Sequence, residues 1–476
     1  VKNNSTQKEN HLMLQISVAT LLLMSLCTSI HAVESNNLSS RKDSRHTQSM
    51  AHAAMKPSTD KYEIIGYFPS WTSDKFPANS DNIAAKNLTV INYAFLDICW
   101  DGHHGNSASD HQDDATAENF LESPCKNSEG APVNLPDGAV TLGNSLLDTK
   151  NLSELVALKS INPQLKVLPS IGGWVWSNRF SDMAASVETR ANFTTSAVTL
   201  IRQHQLDGID LDWEYPTTIG LPCAADKICQ RPSDKTNFIS LAQELRAAFD
   251  KAGSTDGKHY YITIAAGAGA DYVNDTDGKN SWIAQLAKSL DWINVMTYDY
   301  HGPFDKRSGF NAPLFSDPRE PKARSADDSM KLYLAAGVPA KKLTLGMPFY
   351  GYGWLVCDAG KTKGMDQVCT GAATAGTTGN TFTFSYLIKQ GYLKKDTAGK
   401  YTIAGLGYQR YWNSRTKVPY LYNAAEKTVI SYDDEISIHL KDAYILSKGL
   451  RGGMFWELNA DSDKILGTVI SNDLTH

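Results

Sequence analysis

In the run Asp207-Gly208-Ile209-Asp210-Leu211-Asp212-Trp213-Glu214, carboxylates fall on every second position from Asp210 and alternate with Ile209, Leu211 and Trp213. Side chains of a β-strand point to opposite faces with period two, so Asp210, Asp212 and Glu214 share one face. Same-face neighbours stand about 6.6 Å apart, twice the strand rise. Acids so crowded are costly unless they are paired, hydrogen-bonded or protonated, which an ordinary buried strand would avoid. Like charges at that range push pKa values apart, and one carboxyl can then hold a proton at neutral pH and deliver it. The strand is therefore a candidate acid–base site, since perturbed acids cluster at functional positions.

A site of this kind needs a scaffold. Short apolar, β-branched runs predict strands near 64–68, 89–96, 166–171, 208–215, 261–266, 292–298, 343–348 and 452–458. Helical patterns over 151–160, 191–204, 235–252, 282–289, 327–336 and 433–448 stand between them. Eight strands alternating with helices predict an α/β fold, a TIM (β/α)8 barrel formed by residues 61–476. The long stretches 97–150, 216–234, 299–325 and 350–430 each follow a strand, and in this architecture such loops build the active-site face. Residues 356–428 are expected to form a small α+β insertion between strands seven and eight, walling one side of a cleft, with strand-like runs at 381–384, 401–403 and 419–422.

The bulk numbers narrow the function. The chain has 476 residues and a net charge of −5, which suggests no basic face for nucleic acid. Its 10 Trp, 21 Tyr and 15 Phe exceed what a core needs and suit surfaces that stack on sugar rings, though most will be packing residues. Lys2 and Lys8 precede an apolar stretch from Leu12 to Ile30, and Ala32 suits a cleavage position, so residues 1–32 read as an export signal and the protein as secreted. Gln15, Ser17, Thr20, Ser25 and Thr28 interrupt that stretch and argue against a membrane anchor. Residues 33–60, rich in Ser, Asn, His and Lys, read as a disordered leader. Beyond the signal stand Cys99, Cys125, Cys223, Cys229, Cys357 and Cys369. An even number in an exported chain favours disulfides; nearest-neighbour pairing is the simplest of fifteen connectivities. Their spacing does not resemble a zinc site.

Other unusual residues sit at the expected C-terminal ends of strands: Tyr67, the run Ser170-Ile171-Gly172-Gly173-Trp174, then Met296, Tyr298 and Asp299, and finally Trp456 with Glu457. Singly, each has a mundane reading as core, turn or packing residue. Together they converge on one rim of the barrel beside the acidic strand. Asp207–Glu214 followed by Tyr215-Pro216 resembles the signature of family 18 glycoside hydrolases, the chitinases and their relatives. Ser170–Trp174, Met296-Thr297-Tyr298-Asp299 and Gly452-Gly453-Met454-Phe455-Trp456-Glu457 are similar to the other family motifs, in the same order. Pro348-Phe349-Tyr350-Gly351 and Val418-Pro419-Tyr420-Leu421-Tyr422-Asn423 look like the bacterial chitinase branch that carries an insertion. The resemblance spans roughly residues 61–470; the 97–150 loop and the Cys223–Cys229 loop depart from it.

From the residues alone, Glu214 is the natural proton donor and Asp212 the first choice of nucleophile. The resemblance implies another course, in which the substrate's own 2-acetamido oxygen attacks the anomeric carbon and gives an oxazolinium ion with retention. It implies that Asp212 turns toward Glu214 and holds the acetamido N–H, while Asp210 shares a proton with Asp212, helped by Tyr67 and Ser170. It further implies that Tyr298 aligns the acetamido carbonyl, Met296 and Asp299 line the pocket of the −1 sugar, Trp456 floors it, and Trp174 stacks on the leaving-group side. The expected partner is chitin or N-acetylglucosamine oligosaccharides, with no cofactor or metal, no membrane after signal removal, and a monomeric state. An endo-β-N-acetylglucosaminidase acting on N-glycans, a non-catalytic lectin, and a barrel enzyme of unrelated chemistry are the competing readings. Lectins on this scaffold usually lack the acid, and Glu214 is intact.

Overall fold

The computed structural model describes residues 62–105, 122–221, 223, 228–275, 282–319, 324–376 and 379–475. The expected export signal and leader lie outside the described residues. Eight strands form a closed parallel barrel: β1 Glu63–Pro69, β2 Val90–Ile98, β3 Lys166–Gly172, β4 Gly208–Asp212, β5 Tyr261–Ala266, β6 Trp292–Val295, β7 Leu343–Pro348 and β8 Gly452–Trp456. Each strand pairs with its neighbours in chain order, and β8 pairs with β1 to complete the circle. The helices Ser145–Ala157, Val187–Gln203, Asp234–Asp256, Trp282–Leu286, Ala326–Ala335 and Glu435–Lys448 cover the outside near their expected places. A further helix, Ile465–Thr475, has no counterpart in the sequence reading and packs on Glu435–Lys448.

Period-two alternation sorts the barrel side chains. On β4, Ile209 and Leu211 join the large apolar cluster shared with the surrounding helices, and so does Trp213 just beyond it. Trp213 stacks on Phe180 at 5.2 Å and lies 5.3 Å from Phe238, which pins the end of the acidic segment from behind. Inside the barrel a smaller apolar cluster contains Ile65, Val90, Leu168, Trp292 and Met454. At the strand starts, Glu63 accepts from Thr89, Lys166 and Arg451. Burial would raise its pKa, but Lys166, Thr89 and Arg451 outweigh this and hold it below the ordinary range. Asp207, the first acid of the signature run, belongs to this end. It accepts from the Val167 amide at 2.8 Å and meets Lys159 at 2.6 Å.

The acidic strand is shorter than expected. Its ladder ends at Asp212, not at Tyr215, because the last partner on β3 is Gly172, after which the chain turns into the short helix Gly173–Trp176. The predicted strand over 292–298 likewise stops at Val295, and that over 452–458 stops at Trp456. Between β7 and Glu435–Lys448 rises the insertion, a six-stranded antiparallel sheet with a helix at Phe384–Lys389. Its path opens at Tyr350–Leu355 and closes at Thr428–Ser431. The disulfides are the nearest-neighbour ones, Cys99–Cys125, Cys223–Cys229 and Cys357–Cys369. β2 runs on into its loop, where Val140–Thr141 pairs with it antiparallel.

Gly172 has φ +104°, and a Cβ there would lie 2.4 Å from the Asp212 carbonyl oxygen. Gly172→Ala is therefore expected to lower the free energy of unfolding by about 2 kcal/mol or more, read from urea denaturation.

Candidate active site

The deepest member of the acid row is also the best satisfied. Asp210 is fully buried on β4 and receives hydrogen bonds at both carboxylate oxygens. Tyr67 of β1 and Ser170 of β3 donate to Oδ2 at 2.8 and 2.7 Å. Thr263 of β5 and Asn294 of β6 donate to Oδ1 at 2.5 and 3.3 Å. Asn294 is itself fixed by Thr344 of β7, which donates to its side-chain oxygen at 2.9 Å. Burial raises the Asp210 pKa, and the donors from Thr263, Ser170, Tyr67 and Asn294 pull it back.

Asp212, one register up, has no such cradle. It is buried, and its Oδ1 has no hydrogen-bond partner among the described residues. Burial first, then the charges of Glu214 and Asp210, raise its pKa well above the ordinary carboxylate value. Glu214 lies past the ladder, at a bend in the segment that follows β4. Ser177 holds this segment: its hydroxyl donates to the Asp212 carbonyl at 3.1 Å and accepts from the Glu214 amide at 2.8 Å. Burial lifts the Glu214 pKa to about 7; a hydrogen bond from Tyr215 opposes the rise, and the Asp299 charge adds to it. A carboxyl that titrates near neutrality beside another whose pKa is also raised is an arrangement suited to general acid–base chemistry.

Above the acids opens a cleft of about 590 Å³. Tyr67, Trp174, Asp212, Glu214, Met296, Tyr298, Asp299 and Trp456 all line it, while Ser170 and Asp210 lie beneath its floor. The hydroxyl of Tyr298 points to the Met454 sulfur at 3.9 Å. Asp299 faces the open cleft and accepts from the Tyr350 hydroxyl at 2.7 Å. Enclosure by the cleft walls raises its pKa, against hydrogen bonds from Tyr350 and Tyr352. Trp456 is stacked with Phe95 at 5.8 Å and sits 5.5 Å from Tyr67, forming an aromatic floor with Trp71. Trp174 is 47% exposed and Trp71 37% exposed, so both offer ring faces to a ligand.

The sequence reading missed several of these residues. Thr263 and Asn294 each interrupt an otherwise apolar strand at an inward position, a signal that was there to be used. Trp71, Phe95, Tyr350 and Tyr352 carry no local sign of the cleft they line. Ser177 follows a turn whose path depends on Gly172 and Gly173, both at positive φ. Among the described residues no group of three or more His, Cys, Asp or Glu is placed to hold a metal ion.

A parallel barrel with a graded row of acids under an aromatic cleft defines a glycosidase-type site. Residues 63–461 match the profile of the glycosyl hydrolases family 18, and the chain belongs to that family. Chitinase A1 of Niallia circulans is 43% identical over 447 residues, covering 88% of this chain and 60% of the relative, so this chain spans under two thirds of that protein. Among solved structures, chitinase ChiA74 from Bacillus thuringiensis superposes with a TM-score of 0.76 at 37% identity, covering 87% of this chain and 70% of the other. A family 18 N-acetylglucosaminidase from Paenibacillus barengoltzii gives a TM-score of 0.65 at 30% identity, covering 87% and 99%.

In substrate-free protein the Glu214 carboxyl is expected to titrate near 7, losing its proton as pH rises through that value. Asp299→Asn removes a neighbouring negative charge that favours the protonated form, so the midpoint should move down, though burial will keep it above the ordinary glutamate value. Carbon-13 NMR of glutamate-labelled protein reads both.

Proposed function

We propose that the protein is a secreted chitinase that hydrolyses β-1,4-linked N-acetylglucosamine polymers with retention of anomeric configuration. The observation that carries this reading is the contrast along one strand: Asp210 is saturated by donors from four other strands, whereas Asp212 beside Glu214 has a carboxylate oxygen, Oδ1, with no partner among the described residues and a raised pKa. In a scheme with a protein nucleophile, Asp212 would have to be ionised. Burial and the neighbouring acids make a resting charge on Asp212 costly, which suits a carboxyl that exchanges its proton with a neighbour while it binds and steadies the substrate's amide.

The steps follow. Glu214 gives its proton to the glycosidic oxygen as the C1–O bond breaks. The carbonyl oxygen of the −1 sugar's acetamido group forms the new bond to C1 from the opposite face, yielding an oxazolinium ion and the free leaving group. Asp212 turns toward Glu214, accepts the acetamido N–H and stabilises the positive charge; its proton passes to Asp210, where Tyr67 or Ser170 turns its hydroxyl away to make room, and returns to Asp212 when the product leaves. Tyr298 donates to the acetamido carbonyl and aligns it, an orientation effect. Water then attacks C1, Glu214 takes up its proton, and the second inversion restores the original configuration. Met296 and Asp299 line the −1 pocket, Trp456 stacks beneath the sugar, and Trp174 offers a platform to the leaving group. The similarity to proteins named chitinases supports the choice of polymer.

Glu214→Gln should reduce hydrolysis of N-acetylglucosamine hexamer by at least the roughly 10²–10⁴-fold typical of losing a general acid. Near-full activity in that variant refutes the assignment. Asp212→Asn should lower kcat and distort the pH–rate profile, read from initial rates between pH 4 and 9 at about half-unit steps. Anomer-resolving chromatography of the hexamer products should show the β-anomer first; the α-anomer would overturn the mechanism. Cleavage of high-mannose glycopeptides but not of the hexamer would instead favour the endo-β-N-acetylglucosaminidase reading.

A further inference from the structure

The corner after β6 carries Tyr298 and Asp299, and Asp299 adopts a left-handed backbone with φ +57°. Side chains other than glycine are held there by their surroundings. The holding group is Asn311, which is 1% exposed and comes from the middle of the same loop. Its side-chain oxygen accepts from the Asp299 amide at 3.0 Å, and its side-chain nitrogen donates to the Tyr350 carbonyl at 3.1 Å. Its own amide donates to the Ser431 hydroxyl at 2.9 Å, and its carbonyl accepts from the Tyr300 amide at 3.1 Å. Tyr350 opens the insertion sheet and Ser431 closes it, and Tyr350 returns to the corner by donating to the Asp299 carboxylate. One buried residue thus joins the first strand of the insertion, through its side chain, and the last, through its main chain, to the Asp299 amide that follows Tyr298 at the β6 corner.

We propose that Asn311 is a positioning residue: it clamps the Tyr298–Asp299 corner to the insertion sheet, so that the insertion sets where these two side chains stand in the cleft. The proposal rests on the reading above, in which Glu214 protonates the leaving group and Tyr298 aligns the acetamido carbonyl. It makes the insertion a working part of the −1 pocket as well as a wall of the cleft. Glu214 faces Asp212, Tyr215, Tyr272, Tyr298 and Asp299, and of these only Tyr298 and Asp299 belong to the clamped corner.

The test uses the full chain with Asn311→Ala, Asp299→Asn and the double variant, each checked for a native circular dichroism spectrum. In Asn311→Ala the Glu214 midpoint should fall in substrate-free protein, in the direction given by Asp299→Asn. The double variant should show no further fall than Asp299→Asn alone, because the charge that Asn311 positions is gone. On the hexamer, kcat should drop by about tenfold or more, as for a misplaced reacting group, with KM changed by less than about threefold. A folded Asn311→Ala protein with the wild-type midpoint and kcat overturns the proposal. Should that variant fail to fold, Ser431→Ala loosens the same clamp more gently; a smaller fall in the midpoint supports the proposal and an unchanged midpoint overturns it. Because the midpoint is read without substrate, the clamp stands or falls separately from the activity. If it moves as stated while hydrolysis proves independent of Glu214, the clamp holds and the proposed function fails.

Discussion

Taking several carboxyl groups out of water along a single strand is the constraint on which the rest of this molecule depends. Burial disfavours each charge, and proximity disfavours having them all ionised at once. The barrel resolves the first acid by geometry. Inward positions from Tyr67, Ser170, Thr263 and Asn294, each on a different strand, meet at the Asp210 carboxylate. An open sheet could bring to a central residue only its two neighbouring strands and whatever covers the face. A closed circle brings four. With Asp210 satisfied, the pKa values of Asp212 and Glu214 stay raised because nothing comparable reaches them, and that deficiency is what makes them chemically useful.

Much of this was legible in the sequence, for a physical reason. Alternation with period two is local, so the common face of Asp210, Asp212 and Glu214 follows from their spacing alone, and the eight strands follow from their apolar runs. Strand ends are not local. The ladder of β4 stops at Asp212 because β3 runs out at Gly172, a fact about a neighbour about forty residues away. The placement of Glu214 therefore rests on Ser177, whose hydroxyl replaces the missing ladder. Tyr350 was visible only as part of a motif and Tyr352 not at all, since their hydroxyls reach Asp299 through a loop whose path no pattern encodes.

The loops after the strands are tied together more than their length suggests. The segment from Tyr300 to Ser308 meets the insertion through Ser308, whose amide donates to the Gln367 carbonyl and whose hydroxyl donates to that of Gly364. In the loop after β4, Arg231 donates to Asp182 at 2.6 Å and to Ser181 at 2.8 Å, joining that loop to the helix Phe180–Ala185. Loops tied in this way restrict how far the residues that line the cleft can shift relative to the acids, which matters wherever reacting groups must be held within a narrow geometry.

The three cross-links share an address. Cys99–Cys125, Cys223–Cys229 and Cys357–Cys369 all lie in segments that follow the strands, and they enclose sequence separations of only 26, 6 and 12 residues. Covalent reinforcement is thus spent on the crown, while the staves are left to packing and to the ion cluster around Glu63 at their feet. Protruding loops are where local opening and chain cleavage begin, so that division places the covalent bonds where the fold would otherwise part first.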